Sequence, residues 1–320
     1  MIDIITMGEL LIDFVPTVSG VSLLDAPAFK KAPGGAPANV AAGLAKLGHS
    51  VAFLGKVGED AFGHFLKLTL EDVGVKTQGL IFSQEARTAL AFVSLREDGE
   101  REFMFYRHPS ADMLYTPAEV NLDLVRQAKI FHFGSLSLIS EPSRSATLTA
   151  LNAARENQSV ISYDPNLRLA LWPNETAAKE GMLSVWDQAD IIKISDEELY
   201  FLTDIEDQEE AVKALWHDHL RLMIITLGKT GCSYYTSQFH GYIPGFQVKA
   251  VDTTGAGDGF VAGLLSSLLM NPDAVQDQSK LEKICRRANA VGALTTTQRG
   301  AIPALPTLEQ VNSFLEISHL

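Results

Sequence analysis

Short apolar runs with little polar alternation punctuate the chain at 2–7, 51–55, 130–133, 160–163, 191–194 and 222–226. Strands covered on both faces read this way, because neither side meets water. Between them lie helix-like stretches at 38–47, 62–73, 142–156, 175–188 and 209–219. Strand, helix, strand, repeated, predicts a mostly parallel sheet between two helical layers: a three-layer, doubly wound α/β fold. The C-terminal part, through 255–270, 278–297 and 308–316, is helical in pattern. Two stretches break the rhythm. Residues 10–14 read as a second strand followed by irregular chain to 33, and 88–95 with 101–106 read as a hairpin turning at Glu97-Asp98-Gly99. With no helix between them, they predict a small antiparallel β lid, at about 10–34 and 87–110, inserted into a single domain of 1–320. The alternative is that they extend an edge of the main sheet.

Composition changes this picture little. A chain of 320 residues, 46% hydrophobic and 20% charged, can bury a large core without disulfide or metal staples. The net charge of −13 argues against a nucleic-acid binder or a polybasic membrane-surface protein, while leaving room for a local cationic pocket. Cys232 and Cys285 have no CxxC partner, so two buried, reduced thiols are expected. The opening residues carry Asp3, Glu9 and Asp13 without a basic stretch, and the longest apolar run, 259–270, is too short to span a bilayer. Neither a signal peptide nor a membrane span is expected, and the location expected is cytoplasmic.

The most informative chemistry lies in Asp252-Thr253-Thr254-Gly255-Ala256-Gly257-Asp258. Glycines at a helix start keep side chains off successive backbone N–H groups, which then form a cradle for an anion. Asp258 falls in the first turn. A carboxylate beside an anion cradle opposes simple phosphate binding but suits removal of a proton from a hydroxyl that attacks phosphorus. An ordinary acidic partner of the helix dipole is the other reading. A second cluster, Gly34-Gly35-Ala36-Pro37-Ala38-Asn39, permits backbone approach to a ligand, with Asn39 able to donate and accept; a turn before a helix explains it equally. Leu227-Gly228-Lys229-Thr230 resembles the end of a phosphate-binding loop, but Met223 stands where its first glycine is needed. Gly255-Ala256-Gly257 lacks the third glycine of a dinucleotide fingerprint, Phe260 taking its place, so a nicotinamide enzyme is disfavoured. His217 and His219 read as a solvated face, not a metal site.

The two clusters, in this order and at this separation, resemble the signatures of the PfkB (ribokinase-like) family of carbohydrate kinases. The likeness runs essentially along the whole chain and includes the lid. Gly8-Glu9-Leu10-Leu11-Ile12-Asp13-Phe14 and Asp164-Pro165-Asn166-Leu167-Arg168 are most similar to the fructokinases within it. The resemblance implies a ribokinase-like fold and transfer of the γ-phosphoryl of ATP, with Mg²⁺, to a sugar's primary hydroxyl. Fructose to fructose 6-phosphate is the expected reaction. The alternatives are 2-keto-3-deoxygluconate or ribose as substrate, or a non-catalytic sugar or nucleotide sensor.

Carried over by resemblance, Asp258 is the catalytic base, with Gly255, Ala256 and Gly257 its anion hole and Arg168 a guanidinium at the transferring phosphate. Asp13 accepts from sugar hydroxyls, while Gly34, Gly35 and Asn39 contact the sugar. The stretch from Lys193 to Glu198 lines up with an Asn-x-x-Glu motif, with Ser195 where asparagine is usual. Lys193 is assigned to the nucleotide side and Glu198 to an indirect link with magnesium. Thr226, Gly228 and Gly231 match a nucleotide-side turn, and Asn289 the adenine wall. Asp252 and Thr254 match positions that bind a monovalent cation such as K⁺ in some relatives. In the lid, Phe103, Phe105 and Arg107 alternate and so share one face, read as turned to the sugar. Arg107 also resembles a basic residue of 2-keto-3-deoxygluconate kinases that meets an acid sugar's carboxylate. Lid aromatics serve equally in a homodimer joined lid to lid.

Overall fold

In the computed structural model, which describes residues 2–18, 20–95 and 101–318, the apolar runs form the strands of a central sheet. In chain order the strands of both the central sheet and the lid are β1 (Ile4–Met7), β2 (Leu11–Pro16), β3 (Phe29–Gly34), β4 (Val51–Gly58), β5 (Lys76–Ser83), β6 (Leu90–Leu95) and β7 (Arg101–Tyr106). They continue as β8 (Ile130–Phe133), β9 (Val160–Tyr163), β10 (Ile191–Ser195), β11 (Leu222–Thr226), β12 (Gly231–Tyr235) and β13 (His240–Pro244). The nine-stranded sheet runs in the order β13-β12-β11-β10-β9-β8-β1-β4-β5. From β11 through β5 the neighbours are parallel; β12 and β13 close one edge antiparallel.

Successive strand residues feed opposite layers, as a period of two requires. Ile4, Phe53, Ile130 and Leu222 pack with helices Ala36–Lys46, Ala256–Met270 and Gln278–Thr295. Ile5, Leu54, Phe131 and Met223 pack with helices Ser143–Glu156, Glu175–Leu183, Asp196–Thr203 and Gln208–Leu215. Strand order reverses at β1, which lies between β8 and β4 with Ile4 opposite both Ile130 and Val51. The crevice beyond the carboxyl ends at such a reversal is where open α/β sheets take ligands.

The lid strands form a separate four-stranded sheet, β3-β2-β6-β7, and do not extend the main sheet. It is mixed where an antiparallel flap is expected: β2 is antiparallel to β3 but parallel to β6. The stretch read as irregular up to residue 33 contains β3, and the expected turn at Glu97-Asp98-Gly99 lies outside the described residues. β5, β12 and β13 are additions to the pattern reading. The helix expected over 175–188 stops at Leu183, before a 3₁₀ turn Trp186–Gln188, and the one expected over 209–219 stops at Leu215. Cys232 and Cys285 are buried and free. Among the described residues no helix is long and apolar enough to cross a membrane.

Candidate active site

Polar residues gather where the central strands end: Glu9 just past β1, Asp164 just past β9, Ser195 closing β10 and Thr226 closing β11. Over them stands the start of the helix Ala256–Met270. Its N-cap, Gly255, has φ +77°, and a Cβ there would lie 2.7 Å from Ala301 Cβ, so only glycine fits. The first-turn N–H groups have no acceptor within the helix; the Ala256 N–H meets the Thr253 carbonyl at 3.3 Å, which leaves those of Gly257 and Asp258 as the donors of the cradle. Asp258 is buried in that first turn, and its Oδ2 accepts from Asn39 Nδ2 at 2.7 Å. Asn39 is placed by the helix Ala36–Lys46, which begins after Gly35 at φ +108°; a Cβ at Gly35 would collide with the Glu9 carbonyl. Burial raises the Asp258 pKa to about 6, with Asp164 adding to the rise while Asn39, Lys193 and Arg168 oppose it.

Lys193 brings a fixed cation to the cradle. A Cβ on Gly257 would stand 3.3 Å from Lys193 Nζ, which is itself 3.0 Å from Asp164 Oδ2 in a buried pair. Burial alone would depress the lysine's pKa, but Asp164, Glu198 and Asp258 hold it above its ordinary value. Asp164 Oδ1 is buried without a hydrogen-bond partner among the described residues. The partly exposed Arg168 acts on both Asp13 and Asp258 through its charge. Its loop is pinned by Glu198, whose Oε1 accepts from the Leu167 N–H at 2.6 Å and whose Oε2 accepts from the Ser195 N–H at 2.8 Å. Ser195 returns the bond, its Oγ accepting from the Glu198 N–H at 3.1 Å. Serine in place of asparagine is therefore the N-cap of the helix Asp196–Thr203, half of a capping box.

On the lid side, Asp13 is recessed yet partly open, and Gly34 makes room for it: a Cβ there would collide with Asp13 Oδ2. Burial raises its pKa to about 7, with Asp258 and Asp252 reinforcing the rise and Arg168 opposing it. Asp13 is opposite Ala91, and Ala91 is opposite Phe105, so these share a face; Phe103, two residues on, stacks on Phe105 at 5.7 Å. Arg107 is not a free cation. It is buried, its Nε and Nη2 lie 2.8 and 2.7 Å from Asp112 Oδ2, and Nη2 also donates to the Leu136 carbonyl at 3.2 Å. Glu9, to which the sequence reading gives no role, is buried with Oε1 accepting from the Ala36 N–H at 2.8 Å. Burial raises its pKa to about 7 against the pull of Arg107.

The nucleotide-side residues lie together at the β11–β12 turn. Thr226 Oγ1 donates to the Ile194 carbonyl at 3.3 Å; Gly228 at φ +57° and Gly231 at φ +127° frame the turn. Asn289 is already engaged: Nδ2 donates to the carbonyls of Ile243 and Pro244 at 3.1 and 3.2 Å, tying its helix to β13. Asp252 and Thr254 are brought together, Oδ1 accepting from the Thr254 N–H and Oγ1 at 2.9 and 2.7 Å while Oδ2 takes the Gly300 N–H at 2.9 Å. Among the described residues no group of three or more His, Cys, Asp or Glu side chains could hold a metal ion. Of the groups the sequence reading missed, Glu9 and Asp164 had one usable signal: an acid within two residues of the end of an apolar strand, at the ligand-binding edge. Asp112 had none.

The family model described as "pfkB family carbohydrate kinase" matches residues 1–308. Fructokinase-2 of Solanum lycopersicum is 56% identical over 314 residues, covering 98% of this chain and 96% of that relative. Among solved structures, the fructokinase of Xylella fastidiosa with bound ATP is 34% identical with a TM-score of 0.90, covering 99% of each chain. The fructokinase of Vibrio cholerae in its fructose, ADP and calcium ion bound form is 36% identical with a TM-score of 0.89, covering 98% of this chain and 99% of that one.

Proposed function

We propose, for a chain that belongs to the pfkB family of carbohydrate kinases, that it is a fructokinase, moving the γ-phosphoryl of ATP to a primary hydroxyl of fructose to give fructose 6-phosphate. The observation that carries the reading is Asp258, buried in the first turn of a helix, bonded to Asn39 and near Lys193. Such a carboxylate repels a resting phosphate and becomes useful when a hydroxyl attacking phosphorus must lose its proton. Fructose as acceptor is supported by relatives that carry the fructokinase name over nearly the whole chain, and ATP by the ATP-bound one.

In this reading sugar hydroxyls donate to Asp13 and to Asn39 Oδ1, a buried acceptor with no partner among the described residues, while Gly34 and Gly35 let the backbone approach. Asp258 takes the proton of the attacking hydroxyl. Charge on the transferring group meets the amides at the helix start, the Lys193 ammonium and the Arg168 guanidinium. Magnesium, when bound, would neutralise the triphosphate; among the described residues no three acids converge on one point, which fits an ion that would be held mainly by phosphate oxygens and water. Glu198, both of whose oxygens accept backbone amides, holds the Arg168 loop and would reach such an ion only through water. A monovalent cation at Asp252 and Thr254 belongs to the same proposal, as does a cytoplasmic location, for which the free, buried cysteines speak. The lid covers the sugar and keeps out water; its exposed Val15, Phe103, Met104 and Tyr106 support a homodimer through it.

A sugar panel with ATP and Mg²⁺, read by ADP release, tests the proposal. Fructose is expected to give the highest kcat/KM. Turnover without preference for fructose defeats the fructokinase assignment; no turnover of any sugar defeats the kinase.

A further inference from the structure

We infer that the buried Arg107–Asp112 pair, with Glu9 beside it, sets this sugar pocket against acid sugars and so selects neutral ones; the inference rests on the kinase reading above and names its substrate class. Arg107 continues β7 in the alternation that carries Phe103 and Phe105, on the lid face shared with Asp13. Its side chain ends at the Leu136 carbonyl, just past β8, and within electrostatic reach of Glu9, just past β1. Arg107 therefore reaches the crevice where strand order reverses, at the lid end of the site.

A lone guanidinium in that place would be a receptor for a carboxylate, which its planar fork matches with two parallel bonds. Here the fork is filled from inside the protein. Asp112 Oδ2 takes both Nε and Nη2, and Asp112 is fixed in turn by Ser110, whose Oγ donates to Oδ1 at 2.5 Å. Both partners of the pair are about 95% buried, with side-chain exposures of 5% and 4%. Together with Glu9 the cluster holds two acids against one cation. A sugar hydroxyl meets no net penalty there. An incoming carboxylate meets surplus negative charge and gains Arg107 only by breaking a buried ion pair, which leaves Asp112 uncompensated. Discrimination thus comes from a repulsive element aimed at the wrong ligand.

The matched probes are fructose and 2-keto-D-gluconate, which is fructose with its C1 hydroxymethyl oxidised to a carboxylate. At pH 8, where Glu9 is ionised, kcat/KM is measured for both in the native chain, in Asp112→Asn and in Arg107→Gln/Asp112→Asn. Asp112→Asn is expected to move the acid-to-neutral ratio toward the acid by about tenfold or more, chiefly through KM. The double variant, which removes the exposed cation as well, is expected to lose that gain. If Asp112 only braced the lid, its loss would lower turnover of both sugars alike, and an unchanged ratio overturns the inference. Should Asp112→Asn fail to fold, Glu9→Gln reads the same property, with a shift of the same sign expected and a constant ratio again overturning it. A native chain that turns over a neutral sugar other than fructose defeats the fructokinase assignment alone, because the ratio can then be read on that sugar and its acid counterpart.

Discussion

Asp258 is a useful carboxylate held at a cost. Its pKa of about 6, and those of about 7 at Asp13 and Glu9, show that burial opposes ionisation at each. An acid whose folded pKa lies above its unfolded value binds more protons when folded, so its contribution to stability is greatest below the unfolded pKa and is lost as pH rises through the folded one. Catalysis needs the opposite, an ionised base. For Asp258 the window is about pH 4 to 6: above it the site is active and strained, below it relaxed and inactive. Asp258→Asn keeps the shape and removes the charge. It is expected to lower kcat by about 10² to 10⁴ with ATP binding largely kept, and to raise stability at pH 8 by on the order of 1–3 kcal/mol. At pH 4 that gain should vanish. Thermal melts at the two pH values check it, and a variant that melts below the native chain at pH 8 contradicts it. The native enzyme should show an acid limb near pH 6 in kcat. In kcat/KM the limb should extend to about pH 7, where Asp13 ceases to accept from sugar hydroxyls.

The elements that position these residues show what could be read from the chain beforehand. β1 and β8 to β11 are short and mostly apolar on both faces, so burial on both faces made them legible. β3, Phe-Lys-Lys-Ala-Pro-Gly, is an edge strand of the lid with neither a continuous nor an alternating apolar face, and nothing local announces it. β13 alternates exposed with half-buried positions at the sheet's outer edge and gives as weak a signal. In the site, Asp258 and Asn39 were legible because each lies in a glycine-rich helix start, a local pattern with a local purpose. The bond from Arg107 to the Leu136 carbonyl and the place of Asp164 beside Lys193 depend on which strands become neighbours, which no local pattern carries. Ser195 falls between the two cases. Its departure from asparagine was visible, but its use as a cap required the Glu198 contacts. Since asparagine and serine cap equally well, Ser195→Asn should leave stability within about 0.5 kcal/mol, whereas Ser195→Ala should cost about 1 kcal/mol. Urea unfolding of the pair checks this; equal midpoints for the alanine and asparagine variants would show that the cap contributes nothing.

Taken as a whole, the molecule joins two bodies of unequal firmness. The main sheet lies between two extensive cores, while the inner face of the lid buries only Leu11, Ala89 and Ala91, with Val93 and Phe105 packed against them. On its other face Phe14 stacks on Phe92 at 4.9 Å and meets Phe62 of the main body edge-on at 5.8 Å, and Lys31 lies 3.9 Å over the ring of Phe65. These contacts hinge the lid along one side. Across the site the buried Arg107 ties the end of β7 to Asp112 and the Leu136 carbonyl, and a bound sugar would add a link from Asp13 to Asn39 and Asp258. Local opening free energy follows local burial, so the amides of β2, β6 and β7 should exchange with solvent deuterium faster than those of β1 and β8 to β10. Adding the sugar with a non-hydrolysable ATP analogue should slow lid exchange by about tenfold or more, equivalent to ~1.4 kcal/mol of added closure, with much less change in the central strands. Asp13→Asn should remove most of that ligand-dependent protection while leaving β1 and β8 as slow as before. Protection spread evenly over both sheets would mean that ligand energy stabilises the fold globally, and that the lid is no separate closing body.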